Sequence, residues 1–231
     1  MTRAHRRAPG RARTLSRVLI GGGALVVLGS GSVLAWQYAA TDAIAHHEQR
    51  TELAAIERRW QTDSAIASTP TTAPVRVRTS ERAIIRIPRF GKQYAVPIRE
   101  GVGADVLADG FGHYPGAAAP GQVGNYAITA HRVTHGEPLR AMPELRPGDT
   151  VVVETATEVY TYVLDTGGDD LVVHKSAVWT IQPRPHNPSG GVQPPRAAGD
   201  RLITLTTCAS LVHTDDRMIA FGHLLSTTRK S

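Results

Sequence analysis

The sequence predicts a mainly β fold: a closed or nearly closed barrel of about eight short strands with little helix, preceded by an N-terminal transmembrane helix. Three observations lead there. Short apolar runs, many of them β-branched, recur from residue 83 to residue 225 with Gly, Pro and Asp between them. The stretch from Val18 to Thr41 carries no charge, and its apolar heart, Val18 to Trp36, is about one bilayer thickness of helix. The formal charge of +6 belongs to the first 17 residues, where Arg3, Arg6, Arg7, Arg11, Arg13 and Arg17 meet no acidic residue.

Beyond that tail, Lys+Arg and Asp+Glu balance, and aromatic residues are 5% of the 231, which argues against nucleic acid as a partner. Arginines before the apolar stretch and Asp42 and Glu48 after it predict a single-pass protein of the cell membrane, N-terminus cytoplasmic, bulk extracellular. Trp36 and Tyr38 stand where an interfacial anchor belongs, although Ala43-Ile-Ala45 also resembles a signal-peptide cleavage site. The expected organisation is a basic cytoplasmic tail over 1–17, a transmembrane anchor over 18–41, a helical stalk and Pro/Thr linker over 42–78, and a β domain over 79–227.

Leu53, Ile56 and Trp60 recur at helical spacing within 42–62, giving a helix with one sticky edge, either a stalk, a dimerising helix or a short juxtamembrane helix. Ser68-Thr-Pro-Thr-Thr-Ala-Pro74 reads as linker. Strands are expected at Ala83–Ile87, Tyr94–Ile98 and Gly124–Ala130, with a helical turn over Ala104–Asp109 and a Gly-rich loop over Gly110–Gly116. Thr150–Glu154 and Glu158–Leu164 form a hairpin fed by the turn Pro147-Gly148-Asp149. Asp170–Val173 and Val178–Ile181 are short strand candidates, residues 182–199 a long Pro/Gly loop, and 201–208 and 217–225 the last strands.

Cys208, the only cysteine, ends the run Arg201-Leu-Ile-Thr-Leu-Thr-Thr-Cys208. A mid-strand cysteine is ordinarily a small buried hydrophobe. An unpaired thiol on an exported chain, at the place where a strand stops, is a candidate nucleophile. Such a thiol needs a proton carrier, and His131 ends the apolar strand Asn125–Ala130 as Cys208 ends its own. His113, His135 and His213 are loop histidines by their surroundings. His131 and His135 also have H-x-x-x-H spacing, but the glutamate of a zinc-hydrolase motif is missing. Arg217 opens the strand after the cysteine loop; it is either a surface arginine paired with Asp215 or Asp216, or a donor for a carbonyl oxygen gaining charge.

Thr-Leu-Thr-Thr-Cys208 with Arg217 nine residues on, and Ala130-His131-Arg132 closing an upstream strand, resembles the sortases, membrane-anchored cysteine transpeptidases of Gram-positive bacteria. Gly112-His-Tyr-Pro-Gly-Ala-Ala-Ala-Pro-Gly-Gln-Val-Gly-Asn-Tyr-Ala-Ile-Thr-Ala-His-Arg132 is most similar to the actinobacterial class E group. The resemblance covers roughly 80–226 and implies an eight-stranded sortase-type β-barrel with short helices. It implies Cys208 as nucleophile, His131 as general acid/base and Arg217 as carbonyl or oxyanion stabiliser, with Thr207, Tyr114 and Tyr126 as substrate-binding candidates. The implied partners are C-terminal sorting-signal peptides of Leu-Ala-x-Thr-Gly or Leu-Pro-x-Thr-Gly type and a peptidoglycan precursor or stem-peptide amine. No metal or cofactor is called for. The loop Ala209–Asp216 and Pro138-Leu139 in place of Pro-Phe depart from the family pattern. Three rival readings stay open: a pilus-polymerising sortase with a lysine acceptor, a non-catalytic membrane-tethered cell-wall binding barrel, and an exported zinc hydrolase.

Overall fold

A computed structural model describes residues 44–62, 83–210 and 214–230. The expected tail, membrane anchor and Pro/Thr linker, as well as His213, lie outside the described residues. Among the described residues, no helix is long and apolar enough to cross a membrane.

Among the described residues nine strands follow one another: β1 (Ala83–Arg86), β2 (Val96–Glu100), β3 (Phe111–His113), β4 (Gly124–Thr129), β5 (Thr150–Glu154), β6 (Glu158–Leu164), β7 (Leu171–His174), β8 (Arg201–Cys208) and β9 (Asp216–Arg229). Their lateral order is β6-β5-β1-β2-β3-β4-β8-β9-β7, and β6 also pairs with β9. That last pairing closes eight strands into a barrel and leaves β7 as an extra strand on β9. Closure depends on the length of β9: its first half serves β8 and β7, its second half serves β6. The barrel interior holds Ile85, Ile98, Phe111, Tyr126, Ile128, Val153, Tyr162, Ile203 and Leu205. A smaller cluster of Leu171, Ile219 and Phe221, with Trp179 packed on it, lies on the opposite face of β9.

The hairpin β5–β6 has its expected bounds, because alternation there is strict and one face meets water. Three expectations are corrected. Phe111–His113 is strand β3, not loop: Gly112 lets the chain pass where a Cβ would stand 2.3 Å from the Gly101 carbonyl. Val178–Ile181 is a 3₁₀ turn, not a strand; its Thr180 amide bonds back to the Ala177 carbonyl. The final strand runs to Arg229, since its polar C-terminal half is paired by β6.

A helix, α1, covers residues 44–62. Its face of Ala45, Gln49, Ile56 and Trp60 lies against the barrel: Ile56 is 1% exposed, and Lys230 Nζ sits 4.0 Å above the Trp60 ring. Arg99 of β2 grips Glu52 through both carboxylate oxygens at 2.8 and 2.7 Å, and Arg86 of β1 reaches Glu57 at 3.6 Å. The sticky edge therefore has the barrel as its partner. A second helix, α2 (Ala104–Ala108), is the expected single turn between β2 and β3.

One buried polar cluster fixes how β4 and β8 lie side by side. Asn125, fully buried, donates to the carbonyls of Thr180 (3.2 Å) and Gln182 (3.1 Å) and accepts from the Thr204 hydroxyl (2.9 Å). Removing this amide leaves buried groups without their partners, each costing about 1–3 kcal/mol. Asn125→Ala is expected to lower stability by about 2–3 kcal/mol in urea unfolding.

Candidate functional site

The strand ladder brings three of the sequence candidates into one row. β4 runs parallel to β8, with Thr129 beside Thr206, and the Ala130 amide continues the ladder to the Thr206 carbonyl at 3.3 Å. Carried two residues further along both chains, the same register sets His131 level with Cys208. β9 is antiparallel on the other side of β8, and there Cys208 is directly opposite Arg217. The lateral order is His131, Cys208, Arg217, and residues opposite one another in a ladder project from the same face. That face is the outer one, because Ile203 and Leu205, of the other parity, fill the barrel.

The strand ends are pinned. Thr207, 1% exposed, donates its hydroxyl to the Ala130 carbonyl at 2.8 Å, one residue before His131. Thr129 donates to the Thr206 carbonyl at 3.0 Å. Arg132 Nη1 donates to the Ala209 carbonyl, and the Ala209 amide donates to Asp216 at 2.9 Å. Thr207, expected as a substrate contact, is a buried strap between two strand ends.

Cys208 is half-buried, although the six residues before it in β8 are buried. Solvent access therefore begins at the thiol. Arg217 uses Nη1 on the carbonyls of Thr214 (2.8 Å) and Asp216 (3.0 Å). No carboxylate among the described residues lies within ion-pair distance of Arg217; Asp215 is held by Lys175 at 2.8 Å. The alternative of a surface ion pair is thus not realised, and the fork keeps donors for a ligand oxygen.

His131 is half-buried, and its ring stacks on His135 with centroids 4.9 Å apart and planes 24° off parallel. Burial and then the His135 neighbour both push its pKa below the ordinary imidazole value. Both effects favour the uncharged imidazole. Stacked rings overlap their faces and do not converge two nitrogens on one point. Among the described residues no group of three His, Cys, Asp or Glu side chains could hold a metal.

Tyr114 follows β3 and joins the row from the side. Burial raises its phenol pKa, while a hydrogen bond with Thr129 and the charge of Arg217 oppose that rise. The phenol is thus near both the β4 end and the guanidinium. Tyr126 is not with them: it is 3% exposed in the barrel, against His113 at 4.9 Å, and lies five positions before His131. His113 is bonded to Glu100 (2.6 Å) and the Ala118 carbonyl (3.1 Å). Sequence reasoning missed the stacking of His135; a histidine four residues after a strand-end histidine was the available signal. A cleft of about 540 Å³ lies between α1 and β2, lined by His47, Glu52, Arg99 and Asp109, and contains no residue of the row.

The Sortase domain family model matches residues 85–225, most of the barrel and the whole row. Sortase SrtE1 of Streptomyces coelicolor is 33% identical over 156 residues, 64% of this chain. The chain spans 42% of that relative's length. Sortase E of Streptomyces avermitilis superposes with a TM-score of 0.54 at 38% identity, over 64% of this chain and 89% of that one. Sortase E1 of Streptomyces coelicolor, solved with a tripeptide in its active site, gives 0.55 at 33% identity over 65% and 91%. Fold, matched residues and class E similarity agree, and the chain belongs to the sortase family.

Proposed function

We propose that this chain is a class E-type sortase: a cysteine transpeptidase that cleaves a sorting signal between Thr and Gly and passes the acyl group to a cell-wall amine. The observation that carries this reading is the row itself, with Cys208 flanked in register by Arg217 and by the end of β4 that bears His131. The tripeptide in the similar sortase E1 structure supports a peptide substrate.

The proposed chemistry follows from the groups present. Neutral His131 takes the Cys208 proton as sulfur attacks the threonine carbonyl carbon, and the C=O pair moves onto oxygen. Arg217, with no carboxylate within ion-pair distance among the described residues, stabilises that oxyanion by charge and hydrogen bond. When the intermediate collapses, the C–N bond breaks and imidazolium protonates the departing glycine amine, leaving a thioester. An incoming amine reverses the sequence: it loses a proton to His131, the C–S bond breaks as the new C–N bond forms, and the departing sulfur takes that proton back from the imidazolium, restoring thiol and neutral imidazole. Two acyl transfers thus replace one difficult amide exchange. Tyr114, near both Thr129 and Arg217, is placed to touch the bound peptide. The arginine-rich tail and apolar stretch over 18–41 support a single-pass membrane anchor with the domain outside; extraction of the protein from membranes only by detergent is the expected result.

The direct test incubates the protein with Leu-Ala-x-Thr-Gly and Leu-Pro-x-Thr-Gly peptides and a small amine. Wild type forms product and a mass-detectable thioester; Cys208→Ala forms neither, and equal product from the variant would refute the thiol mechanism. Arg217→Ala is expected to lower kcat/KM about 10²- to 10³-fold, the usual loss of an oxyanion donor.

The pH dependence has a fixed sign. kcat/KM reports the free enzyme's ionisations, so its acid limb is expected below the ordinary imidazole value of 6.5. The same depression makes the unfolded chain the better proton acceptor. His131's contribution to stability is therefore present above pH 6.5 and lost as pH falls through the folded value. His131→Asn should flatten the dependence of Tm on pH in that acid window.

Thr207→Val keeps the shape and removes the strap hydroxyl. It is expected to cost about 1–2 kcal/mol in denaturant unfolding and to lower kcat more than it raises KM, because it loosens the β4 end.

A further inference from the structure

The loop after His131 has a backbone that the proposed chemistry does not explain. His135 (φ 55°), Gly136 (φ 75°) and Glu137 (φ 48°) are successive left-handed residues, two of them not glycine. Among the described residues these are the only non-glycine positions with positive φ. Strain of this kind persists where the surroundings impose it, and it gathers at functional sites.

Three different parts of the molecule impose it here. Tyr94 donates its phenol hydrogen to the Pro138 carbonyl at 2.7 Å. The Leu139 amide closes the loop on the His131 carbonyl at 3.0 Å, and the Glu137 amide bonds to the Thr134 carbonyl at 3.0 Å. From α1, Gln49 Nε2 donates to the His135 carbonyl at 3.2 Å, although 86 residues separate them. Gln49 is 5% exposed, and a Cβ on Gly136 would stand 3.0 Å from its Nε2. The amide therefore closes over the crest of the kink. The product of the kink is the His135 ring, laid flat on His131.

We infer that Gln49 and His135 are positioning residues of this site: α1 holds the left-handed loop, and the loop sets the His131 ring by stacking His135 against it. This rests on the proposed role of His131. It makes α1 part of the working unit, not a spacer before the barrel. The ring face is what His135 supplies. Its Nδ1 is buried with no hydrogen-bond partner, so the side chain is held there by packing and not by a polar contact of that nitrogen.

The test uses the full chain in detergent with Gln49→Met, which keeps length and removes the donor, and with His135→Ala and His135→Phe. Two readouts are taken: kcat and KM for transpeptidation, and the ring ¹H–¹⁵N signals of His131. Gln49→Met and His135→Ala are expected to lower kcat about tenfold to hundredfold with little change in KM, and to move the His131 signals. His135→Phe, which keeps a flat ring, is expected to recover most of kcat. The inference is overturned if Gln49→Met and His135→Ala leave both kcat and the His131 signals at wild-type values, or if Phe at 135 recovers no more activity than Ala. Should Gln49→Met fail to fold, the two His135 variants decide alone. A wild type that never forms a thioester would sink the proposed chemistry, while the ring signals would still report whether α1 sets His131.

Discussion

The parallel pairing of β4 with β8 is the constraint on which the rest depends. Parallel neighbours cannot be joined by a tight turn, so a long stretch of chain must leave and return. Here Thr129 and Thr206 meet from 77 positions apart, and β5, β6 and β7 are built on the excursion between them. Register along this pair is held by polar rungs: the Asn125–Thr204 cluster near one end, Thr129 to the Thr206 carbonyl, and Thr207 to the Ala130 carbonyl at the other. Each bond is worth only about 1 kcal/mol net. Their larger effect is on alternatives, since a one-residue slip would turn Cys208 from the outer face into the barrel and strand these buried groups without partners.

Electrostatics at the row is the complement of that geometry. Arg217 spends Nη1 on two backbone carbonyls, which fix the guanidinium without neutralising it. The nearby Asp215 carboxylate is drawn to Lys175. Had Asp215 paired with Arg217, the exposed ion pair would have added at most about 1 kcal/mol of stability, at the expense of the positive charge. Burial and His135 meanwhile push His131 toward its uncharged form. An imidazole held toward its neutral form, a half-buried thiol and a guanidinium with no carboxylate within ion-pair distance among the described residues thus share one edge of the barrel, an arrangement that adds little to folding.

Much of this was legible in the sequence wherever one physical signal dominated. The hairpin β5–β6 alternates strictly and was bounded correctly, and β8 is a β-branched run that could be nothing else. Where two signals competed, the reading failed. Gly112 looked like loop because glycine usually is, but β3 needs it for the close approach to Gly101. The four residues Val178–Ile181 are apolar and β-branched, yet a run that short does not separate strand from turn. The C-terminal half of β9 is polar and took its strand state from pairing with β6, which no local pattern announces. The candidate row was visible as three strand-end residues; its lateral order required the register. Tyr126 was misplaced by nearness in sequence to the His131 strand. Its side chain belongs to the barrel interior, a matter of parity and depth along β4.

Cys208 shows how far position alone can change the meaning of a residue. In the middle of β8 a thiol would be one more buried side chain, like its neighbours Thr206 at 4% and Thr207 at 1% exposure. Burial stops at Cys208 because the flanking strands stop there too: β4 has ended, and β9 is only beginning at Asp216. The same termini release backbone groups that the straps of Thr207 and Arg132 then satisfy. Solvent access and rigidity of the thiol therefore have one origin, the coincident ends of three strands. A barrel with these strands longer by one ladder rung would hold the same residues in the same register and cover the sulfur.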